Sequence, residues 1–295
     1  FAGGDIVADW LRAGAQPPAQ AVDDRFGAAS GAALDRLVLA PGQSRSVVVI
    51  VPLDPADESA TRALAAAASD DPVGWALRAT ARAPADFRPG EDRSCALDLP
   101  RAAGRLARTV LAQRDCIMVN RAGPALQPGS RSYARSWIRD GALTSSALLR
   151  LRHPEPVREF IEWYAPHQYP SGKIPCVVDE RGADPVPEHD SSGQFIFLVA
   201  EYWRYTRDRP LAERMWPRVR AAAAYLDSLR RTRLTDEWRA PARAEFYGIL
   251  PPSISHEGYS AKPMHSYWDD FFALRGFADA AFLARELGRA GEAAR

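Results

Sequence analysis

The sequence predicts a mainly α-helical chain preceded by the end of a β-sandwich domain. Three observations carry this. From about residue 57 onward, apolar residues recur at helical spacing in one segment after another. Short and long connections alternate between those segments, as in a row of helical hairpins. Ahead of residue 55 the pattern is strand–turn–strand around Pro41–Gly42.

Residues 1–55 read as the C-terminal part of the sandwich. Strands are expected over Arg36–Leu39 and Ser46–Val51. The run Val47–Val51 is too apolar to stay in water, and a lone hairpin cannot bury it. The missing strands are therefore expected ahead of Phe1. Residues 56–98 read as a linker with a helix at Ser59–Ser69. Pro72–Arg82 fits helix or strand, and Ala83–Arg93 is polar connection.

The third region, 99–295, carries the helices. Leu99–Gln113 is the first, followed by Cys116–Val119 as a short strand or inner-loop segment. Next comes the stretch around which the chain is organised, Arg131–Leu151. Leu143, Ala147 and Leu151 recur every four residues with Leu148 beside them, one face of a helix. Asp140, followed by Gly141, is placed as its N-cap. Further helices are expected at Pro156–Tyr164, Gln194–Tyr205, Leu211–Leu229 and Asp269–Leu287. Two long connections separate them, Thr235–Tyr267 and the 26 residues of His167–Ser192. An irregular loop of that length is unusual unless it is functional. Trp137, Trp163, Trp203 and Trp268 fall at or near these junctions, where aromatic faces could floor a sugar site.

Composition narrows the function classes. The 295 residues are 46% apolar and 25% charged, as in a globular protein. A net charge of +1 gives no argument for nucleic acid. No run approaches the ~18 apolar residues of a membrane span. Cys95, Cys116 and Cys176 are widely spaced and form neither a zinc pattern nor a disulfide framework, so the compartment stays open. His189, His256 and His265 do not make a metal set. No cofactor is expected.

Three acidic places could do chemistry: Asp140 beside Trp137 and Arg139; Glu188–His189–Asp190 ahead of a helix; and Trp268–Asp269–Asp270 at a helix start. Each alone reads as a cap or a solvated acid. Together they could supply the two carboxyl groups of a glycosidase, one to protonate the leaving oxygen and one to activate water. Glu257, in the long loop thirteen residues before Asp270, is a further acid that could be a sugar ligand or the proton donor. Trp137, Arg139, Asp140, Glu188, Asp190, Trp268 and Asp269 are the candidate substrate-binding residues. Lys173 and Lys262 are lesser candidates for a lid or subsite.

SWIRDGAL at Ser136–Leu143, PSGKIP and PEHDSSGQF within Pro170–Phe195, and YWDDFFALRG at Tyr267–Gly276 resemble the six-hairpin glycosidase superfamily. Its (α/α)6 barrel is shared by glucoamylases, trehalases, glycogen debranching glucosidases and sugar phosphorylases. The resemblance implies that 99–295 is the N-terminal half or more of an (α/α)6 toroid. It also implies that Arg139 and Asp140 grip a terminal sugar, and that Asp270 is the proton donor with Asp269 as its neighbour or cap. Asp stands here where glucoamylases have Glu; trehalases use Asp, so the subfamily is open. A whole barrel has more helices than this chain supplies. The chain is therefore expected to be an internal piece of a longer protein, packing with its missing N- and C-terminal parts. The catalytic base is expected beyond Arg295. The function so implied is an inverting glycoside hydrolase acting on α-glucosidic or related linkages of an oligosaccharide or polysaccharide. A sugar phosphorylase of the same fold and a non-catalytic carbohydrate-binding helical domain are the alternatives.

Overall fold

The computed structural model describes residues 37–45, 58–68, 71–81, 100, 103–254 and 262–293. The chain divides into two units, Phe1–Ala83 and Pro84–Arg295. In the first, helices α1 (Glu58–Ala68) and α2 (Pro72–Ala81) follow one another. The ambiguous stretch after residue 71 is thus helical. Its proline occupies the first helical position, where the missing N–H costs nothing, and the Asp71 carboxylate caps the Gly74 N–H at 3.0 Å. The expected turn at Pro41–Gly42 is present, with Gly42 at φ +83° and the Gln43 N–H donating to the Ala40 carbonyl at 3.0 Å. Leu37–Leu39, however, form no strand. Ser46–Val51, and with it the β-sandwich reading, lies outside the described residues.

The second unit is mainly α with a small, open antiparallel sheet. Its elements are α3 (Gly104–Val119), β1 (Ser136–Trp137), α4 (Ile138–Arg150), α5 (Pro154–Tyr164), β2 (Val177–Asp179), β3 (Gly182–Ala183), α6 (Asp190–Thr206), α7 (Arg209–Arg231), α8 (Asp236–Arg239), α9 (Tyr267–Glu286) and α10 (Ala290–Ala293). Cys116–Val119 is not a strand but the last turn of α3. Nothing between Gln113 and Cys116 breaks the helix, and Arg114 is buried there against Asp115 at 2.7 Å. The long connection before α6 is not wholly irregular either. Its middle is the β2–β3 hairpin, and β2 pairs with β1 in the register Ser136↔Val178. Strands of two or three residues are too short to show alternation, so no sequence pattern announces them. The second long connection contains the short helix α8 and a 3-10 turn at Ala244–Phe246.

Helix α6 is the hub. Asp190–Trp203 is buried throughout, and α4, α5, α7 and α9 pack around it. Phe195, Leu198 and Val199 share one face while Ile196, Phe197 and Ala200 cover others, and a helix buried all round belongs inside a structure. Helices α6 and α9 run parallel: Trp268 bonds Asp190 at their starts, and Trp203 bonds Glu286 at their ends. Helix α4 runs the same way, with Arg139 beside Glu188 and Arg150 beside Glu201. Helix α7 runs against them, since its first residue, Arg209, reaches the Leu287 carbonyl at the end of α9. The parallel packing is tight at one point. A Cβ on Gly193 would lie 2.1 Å from the Phe272 carbonyl oxygen, and one on Gly276 would lie 2.9 Å from the Gly193 Cα.

At the C-terminal ends of α6 and α9, Asp279 is buried and takes ion pairs from Arg204 at 2.5 Å and Arg275 at 2.7 Å; both arginines also reach Glu201. Asp279→Ala leaves both guanidiniums with Glu201 and the rings they lie over, Phe282 for Arg204 and Phe197 for Arg275. Because they are partly exposed and can rehydrate, the expected loss is about 2 kcal/mol, read as a lower urea midpoint at unchanged slope.

Candidate functional site

The parallel arrangement of α4, α6 and α9 sets their N-termini at one end of the unit. Each carries an acid in its first turn: Asp140, Asp190 and Asp269. Asp140 is not the N-cap expected from the sequence. Trp137 occupies that position, and Asp140 is the third helical residue. The sheet causes the difference: the Ile138 N–H donates to the Cys176 carbonyl at 3.0 Å, so the chain leaves β1 directly into the helix.

Arg139 ties the acids together. Its Nη1 lies 2.9 Å from Glu188 Oε2 and 3.5 Å from Asp190 Oδ2, and its Nε lies 3.9 Å from Asp140. The Trp268 indole N–H donates to the same Asp190 Oδ2 at 2.9 Å. Asp269 is 2% exposed, and its Oδ2 accepts from Ser253 Oγ at 2.6 Å. Asp190 Oδ1, Asp269 Oδ1 and both amide atoms of Gln194 are buried without a partner among the described residues. Native structures satisfy most such atoms, so these four stand out as enclosed polar atoms whose hydrogen-bonding capacity is unspent.

The carboxyl groups are held away from their usual protonation behaviour. Burial first, then the negative charges of Asp190, Asp270 and Glu188, push Asp269 up to about 7. Glu188 is pushed up to about 6 by burial, with Asp190 adding and Arg139 opposing. Burial also raises Asp140 against the pull of Arg139. His189 is lowered to about 4 by burial and by the nearby Lys173, so its imidazole is neutral. Burial pushes the Cys176 thiol up to about 12, which leaves it unreactive.

Asp269 and Asp270 have different surroundings. The Asp270 Oδ1 accepts the Leu250 N–H at 2.8 Å, and the Leu250 carbonyl takes the His265 Nδ1 contact at 3.0 Å. Asp270 lines a separate cavity of about 190 Å³ with Phe246, His265 and Tyr267. A groove of about 620 Å³ along α7 and α9, lined by Trp216, Arg220 and Phe277, contains none of the acids named above.

The other sequence candidates are scattered. Trp137 is half-buried, with the Arg135 guanidinium 5.2 Å from its ring centre. Lys173 Nζ donates to the Pro185 and Val186 carbonyls and so staples the loop before Glu188. Lys262 is exposed, and Glu257 and His256 lie outside the described residues. Trp163 packs on Phe160, Tyr164 and His167. Trp203 is not at the mouth: it is buried 13 residues along α6 from Asp190, roughly 20 Å at 1.5 Å per residue. Sequence reasoning missed Ser253, for which no signal exists. It also missed the pairing of Gly193 with Gly276: Gly276 is a glycine inside an expected helix, but Gly193 stands one residue ahead of the expected helix Gln194–Tyr205.

A stability test follows from Asp269. Its folded pKa lies above the unfolded value of 3.8, at about 7. Between those values the native state binds more protons, so this group's contribution to stability falls as pH rises across that window. Asp269→Asn removes the ionisation. It is expected to raise the urea-derived stability by about 1–3 kcal/mol at pH 8, with the gain vanishing toward pH 4. His189 works in the opposite direction: its depressed folded pKa contributes stability that is lost as pH falls from 6.5 to about 4. The difference between variant and parent at each pH isolates Asp269 from it.

No protein-family model, curated protein or solved structure matches this chain.

Proposed function

We propose that the chain carries the acid half of a glycoside hydrolase site, acting by inversion on α-glucosidic or related linkages. The proposal joins the sequence resemblance described above to one observation, the meeting of three parallel helix starts, where Arg139 reaches Asp140 and Asp190 and Trp268 donates to Asp190. Parallel helices with an antiparallel α7 outside them are compatible with the inner and outer layers of an (α/α)6 toroid. In this reading Asp269 rather than Asp270 is the proton donor. A general acid must hold its proton near neutral pH. Asp269 does so because it is buried among other acids, whereas Asp270 spends an oxygen on the Leu250 amide. Arg139, Glu188 and Asp140 offer donors and acceptors for sugar hydroxyls. The excess of carboxylates suits a transition state that gathers positive charge on the sugar ring.

The test is a panel of α-linked gluco-oligosaccharides given to the full-length protein, followed by proton NMR. Release of glucose with inverted anomeric configuration supports the reading. Cleavage only when phosphate is added, giving a sugar 1-phosphate, replaces it with a phosphorylase. Tight oligosaccharide binding with no cleavage replaces it with a binding domain.

A further inference from the structure

We infer that Ser253 is a positioning residue that keeps the proton of Asp269 on Oδ1, the oxygen with no hydrogen-bond partner among the described residues. The inference rests on the reading of Asp269 as proton donor.

Ser253 is fully buried and its backbone is pinned on two sides. Its N–H donates to the Met264 carbonyl at 3.0 Å and its carbonyl accepts the Met264 N–H at 2.8 Å. The next residue, Ile254, donates its N–H to the Pro187 carbonyl at 2.9 Å, immediately before Glu188. The hydroxyl therefore cannot drift from Asp269 Oδ2, 2.6 Å away. A serine hydroxyl has one proton to give. Its other acceptor in reach, the Ile254 carbonyl, lies at 3.4 Å, so the short bond to Asp269 is the one made. An oxygen that accepts such a bond is the poorer place for the carboxyl's own proton. That proton goes to Oδ1, which is buried and has no partner among the described residues.

The same bond also opposes burial. Asp269 faces Asp190 from α6, Glu188 from the preceding loop, and Asp270 on its own helix; Arg139 of α4 pairs with Asp190 and Glu188. Of the contributions named for it, the Ser253 bond is the one that favours the ionised form. Ser253 thus both orients the proton and keeps it labile near neutral pH.

The experiment is carbon-13 NMR titration of aspartate carboxyl carbons in the full-length protein, with Asp269→Asn to identify the resonance. In Ser253→Ala the Asp269 midpoint is expected to move up by about one unit. In Ser253→Cys, a weaker donor of similar size, it should move by less. The basic limb of the kcat/KM profile should shift with it, which loss of packing alone would not cause. An Asp269 midpoint unchanged in Ser253→Ala overturns the inference. The Asp269→Asn rate tests the parent reading separately: full activity there removes the catalytic role of Asp269, whatever Ser253 does to its midpoint.

Discussion

Gly193→Ala is expected to destabilise the second unit by roughly 3 kcal/mol or more, at the upper end of overpacking costs. The added Cβ meets the Phe272 carbonyl oxygen at 2.1 Å and its carbon at 2.5 Å. Both are backbone atoms inside α9, so neither can rotate aside. Relief requires α6 and α9 to separate, and the separation reaches Asp190 and Asp269 one turn away. Gly276→Ala is the control. Its Cβ meets the Gly193 Cα at 2.9 Å but otherwise only the Ile196 and Leu226 side chains at 3.4 and 3.6 Å. It should cost less, about 1–2 kcal/mol. Urea midpoints and near-ultraviolet dichroism of the two variants give the comparison. Equal, small losses would mean that α6 and α9 are not packed as closely as described.

Asp269→Asn is expected to lower turnover by at least about 10²-fold on substrates with a poor leaving group. Asparagine keeps the shape and can still accept the Ser253 hydrogen bond, so the loss reports the missing proton rather than a collapsed site. Asp270→Asn should act more weakly, because the carboxylate it replaces is engaged with the Leu250 amide at 2.8 Å and an asparagine oxygen can take the same bond. Turnover and KM measured for both variants separate the two acids. The larger loss at Asp270 would return the proton donor to the residue first favoured by the sequence pattern.

The helical half of the chain was legible because its periodicity was strong. The buried face of α7, with Leu211, Met215, Val219, Ala222 and Leu226, follows directly from the spacing of those residues. The start of α4 was not legible. Asp140 and Gly141 look like a cap and first turn, yet a pairing with Cys176, distant in sequence, sets the boundary at Ile138. The short strands β1–β3 escaped for the same reason, being formed by pairing rather than by local pattern. For the site, the sequence pattern marked the acids of Trp268–Asp269–Asp270 and favoured Asp270, where the proposed reading favours Asp269. What separates their surroundings is burial and the approach of Asp190, Glu188 and Ser253 from other elements, which no local pattern shows. Trp203 shows the converse error: proximity to a junction in sequence said nothing about which end of α6 it occupies.

The most direct test of Asp269 as proton donor compares two substrates of the Asp269→Asn protein at pH 6. One is an α-glucoside whose leaving alcohol needs protonation. The other is glucosyl fluoride, whose leaving group needs little. The account predicts a turnover loss of about 10²-fold or more on the first and a much smaller loss on the second. Equal losses on both, or none on the first, would contradict it.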